Sequence, residues 1–81
     1  KDTPMRFEDI EIDEKNKGVG KSIGEITRKY RSNFSVVALF DRNKRSYAYN
    51  PPEETKITAG DVLICLGEVK AIEALRAELS E

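Results

Sequence analysis

The sequence predicts a two-layer α+β domain, with a small mixed sheet and helices packed on it in the order β-α-β-β-β-α. Three stretches carry this reading. Val62-Leu63-Ile64-Cys65-Leu66 is an unbroken apolar run bounded by Gly60-Asp61 and Gly67, which reads as a central strand covered on both faces. Ser22-Ile23-Gly24-Glu25 has the capping-box form that starts a helix. Val69, Ile72, Leu75 and Leu79 recur at helical spacing and predict a closing helix.

The elements follow in order. Residues 1–6 read as a linker, and residues 7–81 as the domain. Lys1 in place of methionine predicts a piece of a longer chain. Ile10 and Ile12 alternate with Glu11 and Asp13, which suits a half-exposed strand. Phe7 is out of phase with them, so the strand is expected to bulge or to begin after it. Glu14 to Gly18 is a charged loop. The capped helix runs to about Arg31, with Ile23, Ile26 and Tyr30 on one face and Arg28, Lys29 and Arg31 favouring its C-terminal dipole. Asn33 closes that region.

Ser35 to Phe40 is rich in β-branched residues and predicts a second buried strand. Asp41 to Arg45 is a polar hairpin turn. Ser46-Tyr47-Ala48-Tyr49 alternates, with both tyrosines on one face, and Pro51-Pro52 ends it because proline donates nothing to a ladder. Glu53 to Thr58 crosses the surface with Ile57 tucked in. Gly60 suits a sharp reversal into the apolar run, and Gly67 opens the final helix, whose stripe only Arg76 interrupts.

Composition limits the chemistry. The 81 residues carry 14 basic and 15 acidic side chains, one cysteine, and no histidine or tryptophan. Histidine catalysis and histidine metal sites are excluded. A single cysteine allows no internal disulfide, which makes the cytosol the simplest compartment, and Cys65 reads as a buried small hydrophobe. A net charge of −1 argues against a nucleic-acid footprint. No apolar stretch has the length of a membrane helix.

The motifs point away from several activities. Gly18-Val19-Gly20-Lys21-Ser22 ends like a phosphate loop, but Lys15 stands where the first glycine belongs. Gly18, Gly20 and Gly24 are one residue too widely spaced for a dinucleotide fingerprint. Lys15 and Lys17 stand where a calcium loop places oxygen ligands. The acidic run Glu8 to Glu14 reads as a solvated strand edge. No nucleophile, base and orienter coexist, so the chain does not read as an enzyme. Arg28, Lys29 and Arg31, with Arg42, Lys44 and Arg45, form two basic clusters. They meet an anion if the helix end lies beside the hairpin turn.

Gly20-Lys21-Ser22-Ile23-Gly24-Glu25-Ile26, then Val36-Val37-Ala38-Leu39, Asn50-Pro51, Ala59-Gly60-Asp61-Val62-Leu63-Ile64 and Gly67 together resemble the C-terminal subdomain of RCK (TrkA-C) regulatory modules. The match spans about Phe7 to Leu79. The resemblance implies a cytosolic regulatory domain of a potassium channel or transporter, on the cytoplasmic face of the membrane. Such a domain follows a Rossmann-like subdomain or pore segment, pairs as a homodimer, and couples a small ligand at the dimer interface to ion transport. The alternative is a ligand-free dimerisation module. In some relatives the ligand is cyclic di-AMP. The matching pocket draws on Glu25, Ile26, Thr27, Asn33 and Pro51, with Thr27 where those relatives carry arginine and Arg28 as a substitute.

Overall fold

The computed structural model describes residues 4–80. Strand β1 (Met5–Glu11) leads to helix α1 (Ile23–Thr27), which tightens into a 3₁₀ turn over Arg28–Tyr30. Strands β2 (Phe34–Asp41), β3 (Ser46–Tyr49) and β4 (Asp61–Glu68) follow, and helix α2 (Val69–Ser80) closes the chain. The predicted α+β order is present. The sheet, in the order β1-β4-β2-β3, is antiparallel throughout rather than mixed. β1 and β2, joined through α1, run the same way, but β4 lies between them. This split β-α-β arrangement gives the most apolar strand two partners.

Several boundaries move. β1 starts at Met5, and Met5 and Arg6 pair with Glu68 and Gly67, so the strand begins inside the segment read as a linker. Residues 1–3 of that segment lie outside the described residues. Phe7 belongs to the strand without a bulge: it pairs with Leu66 and faces away from the isoleucines. The bulge lies in β2, at Val37 between Val36 and Ala38. Gly67 stays in β4, and α2 begins only at Val69.

Register sorts the side chains into two faces. Ile10, Leu63 and Leu39 share one row, and Cys65 and Val36 another. Against these rows pack Ile23 and Ile26 of α1, and Ile72, Leu75 and Leu79 of α2, with Ile12 and Ile57. Both helices therefore cover the same side of the sheet. On the opposite side, Phe7–Leu66–Ser35, Asp9–Ile64–Ala38–Tyr49 and Glu11–Val62–Phe40–Tyr47 form rows that no helix covers. Ile64 and Leu66 are half-buried there, so β4 is central but covered on only one face. Met5, Phe7, Tyr47 and Tyr49 on that side are 65%, 66%, 55% and 74% exposed. Phe40 and Tyr47 contact at 4.7 Å between ring centroids, and Tyr47 stacks on Tyr49 at 5.8 Å.

The crossing from β3 to β4 is tied to the start of α1. The amides of Ile23 and Gly24 donate to the carbonyls of Thr55 (3.0 Å) and Glu53 (2.9 Å), and the Ile57 amide to Lys21 (2.8 Å). Gly60 turns with φ +98°, a conformation that side chains resist. Asp61, although buried, accepts from the Thr58 amide and hydroxyl at 2.8 and 3.3 Å.

Candidate ligand-binding site

A cleft of about 380 Å³ opens between α1, the start of β2 and the chain after β3. Ile23, Phe34, Val36 and Pro51 supply apolar walls; Thr27, Ser35, Asn50, Arg31 and Glu53 supply the polar ones. Each wall has a local cause. The Ser22 hydroxyl accepts from the Glu25 amide (3.1 Å) while the Glu25 carboxylate accepts from the Ser22 amide (2.8 Å), so the predicted capping box fixes where α1 starts and aims Ile23 inward. Asn50 adopts φ +48°, which asparagine tolerates, and its amide donates to the bulge carbonyl of Val37 at 2.8 Å. The bulge and this left-handed residue steer Pro51 into the cleft wall. The Thr27 hydroxyl donates to the Ile23 carbonyl at 2.8 Å, leaving its oxygen free to accept.

The six residues predicted for the site divide. Thr27 and Pro51 line this cleft. Glu25, Ile26 and Arg28 border a different hollow, of about 340 Å³, with Lys17, Lys21 and Glu78. Asn33 is engaged elsewhere: its side-chain amide donates to Glu68 at 3.1 Å, and its carbonyl accepts from the Glu68 amide at 2.9 Å. The structure adds Arg31, Phe34 and Glu53 to the expected site residues. The 3₁₀ turn that carries Arg31 round to the cleft leaves no periodic signal, and Glu53 reaches it only through the amide pairing with Gly24.

The basic clusters are anchored separately. Arg31 pairs with Glu53 at 2.9 Å, Lys29 with Glu78 at 2.6 Å, and Arg42 with Glu11 at 2.9 Å. Tyr30 also donates to Glu78 at 2.8 Å and stacks on Phe34 at 5.7 Å, which links α2 to the cleft wall. Burial pushes the Cys65 thiol up to about 12, so it stays protonated and unreactive at neutral pH. Among the described residues, no three acidic or cysteine side chains converge to hold a metal ion, and no helix is long and apolar enough to cross a membrane.

Two carboxylates report on acid stability. The hydrogen bond from the Ser22 amide holds Glu25 below its ordinary 4.5, and hydrogen bonds from Lys29 and then Tyr30 do the same for Glu78. Their contribution to stability is complete above the unfolded value. It is lost as pH falls through the lower folded-state values. Melting temperature measured against pH is expected to fall on acidification below about 4.5. The fall should be shallower in Glu25→Gln and Glu78→Gln; an unchanged slope in both would show that neither carboxylate is linked to folding.

A family model for the TrkA-C domain matches residues 7–80. The chain belongs to the TrkA-C domain family. The resemblance expected from residues 20–26, 36–39 and 59–67 is thereby shown over almost the full length. TrkA-C domains are regulatory rather than catalytic and form part of potassium transport assemblies. No curated protein matches the chain.

Proposed function

We propose that this TrkA-C domain senses a small anionic ligand for a potassium channel or transporter on the cytoplasmic face of the membrane. Two copies pair through the open sheet face, and the ligand in the cleft favours one geometry of the pair. The observation that carries the ligand reading is the cleft itself, with an apolar wall of Phe34, Val36 and Pro51 beside the guanidinium of Arg31. A flat base fits the apolar wall, and a phosphate fits the guanidinium fork. The paired reading rests on the open sheet face, where Met5 and Phe7 on one edge strand and Tyr47 and Tyr49 on the other are exposed, since large apolar side chains exposed on one face mark an interaction surface. Cyclic di-AMP, which carries both a base and a phosphate, matches the lining of the cleft. Regulation then follows from differential affinity: a ligand shifts the gate by as much as it prefers one geometry. A Rossmann-like or pore segment preceding this domain carries the shift to the ion pathway.

The second reading is a ligand-free dimerisation module, favoured by the apolar face alone. Calorimetry of the chain with cyclic di-AMP, with sedimentation of the same samples, separates the two. The sensing reading expects a dimer, saturable heat, and weaker binding in Arg31→Ala. A dimer without heat at high micromolar ligand selects the assembly module. A monomer under these conditions removes the pairing common to both.

A further inference from the structure

We propose that the Arg31–Glu53 ion pair is a displaceable latch across the cleft: an anionic ligand takes Arg31 from Glu53, and opening the pair joins the cleft to a third, smaller hollow of about 220 Å³ that Arg28 also lines. The latch rests on the reading of the cleft as an anion site. Arg31 and Glu53 line both cavities, the cleft with Thr27, Phe34 and Pro51 and the hollow with Ser22, Gly24 and Arg28. The pair, 2.9 Å from Nη2 to Oε1, is therefore the partition between them. Closed, it separates the Arg28 side chain from the cleft wall at Pro51; open, it leaves one groove with two guanidiniums beside an apolar wall, with Glu25, Glu53 and Glu54 also on its rim.

Glu53 is built into this place. Its carbonyl is held by the Gly24 amide at 2.9 Å. A Cβ on Gly24 would lie 3.1 Å from the Glu53 Cβ and 3.3 Å from both its carbonyl and Oε1, so glycine at this position lets the acid sit against α1. The partner arm is free to leave. The side chains of Arg31 and Glu53 are 54% and 60% exposed, so solvent screens their attraction. A phosphate engages the guanidinium fork through two oxygens and displaces the single carboxylate oxygen. Arg28 forms no ion pair among the described residues, which leaves it available once the partition opens. Glu53 also repels any anion entering the closed cleft, so it sets the affinity threshold of the site without touching the ligand.

The test compares the wild-type chain with Glu53→Gln, which keeps the backbone bond to Gly24. Each is titrated with cyclic di-AMP and with uncharged adenosine, followed by calorimetry and by the Arg31 Nε–H resonance. Glu53→Gln is expected to bind cyclic di-AMP up to about fivefold more tightly, the scale of one exposed ion pair, with adenosine unchanged. The Arg31 resonance should move on saturation of the wild type, and Arg28→Ala should weaken binding in both backgrounds. Binding by Glu53→Gln alone also supports the latch. Equal or weaker binding by Glu53→Gln overturns the latch and leaves the anion site standing. Absence of binding to either protein overturns both.

Discussion

Leu63→Ala is expected to destabilise the domain by about 2–5 kcal/mol. Leu63 is wholly buried, lies in register with Ile10 and Leu39 on either side, and faces the layer formed by both helices. The lost transfer energy is joined by a cavity term. Chemical denaturation monitored by circular dichroism reads the loss directly. A domain this small buries only ~60% of its unfolded surface, so the variant is expected to be partly unfolded at 37 °C. A change below about 0.5 kcal/mol would contradict the burial on which the layer assignment rests.

Gly67→Ala is expected to cost about 3 kcal/mol or more, the upper range for overpacking, although it adds only a methyl group. Gly67 pairs with Phe34 across β2 and β4. A Cβ there would overlap Phe34 Cα and Cβ and the Asn33 carbonyl oxygen. Two of these three are backbone atoms, so no rotamer change relieves the clash. The strands must separate at the point where Phe34 forms the cleft wall and Asn33 meets Glu68. Gly20→Ala is the comparison: nothing lies within 4 Å of its added Cβ, and its cost comes only from φ +87°. Denaturation midpoints should rank Gly67→Ala well below Gly20→Ala. The reverse order would mean that β2 and β4 are further apart than this register places them.

The residues that were legible in the sequence are those whose signal is local. The capping box is complete in four consecutive residues, and its two reciprocal hydrogen bonds form as predicted. Ile57 reads as a lone apolar residue in a polar crossing and is wholly buried. Tyr47 and Tyr49 share a face because strand geometry alternates side chains. Phe7 suggests a bulge in β1 because it breaks the inward phase, yet it keeps the ladder and belongs to the other, exposed face.

The cleft was only partly legible. The resemblance points to Thr27 and Pro51, but also to Asn33, whose amide binds Glu68, 35 positions along the chain. Arg31 reads in the sequence as part of a basic cluster, and its acid lies 22 positions away. Such pairings leave no periodic trace.

By itself, the sequence determined the number and order of the elements, the central place of the apolar run but not its one-sided cover, the helix start and the TrkA-C family, because each depends on residues within a few positions or on an ordered set of motifs. Only the tertiary structure decided that β4 inserts between β1 and β2, that both helices cover one face, and that Arg31 meets Glu53 at the cleft. Insertion depends on which strands are free when the crossing returns the chain. The cleft depends on where a bulge, a 3₁₀ turn and a left-handed asparagine bring distant backbone together.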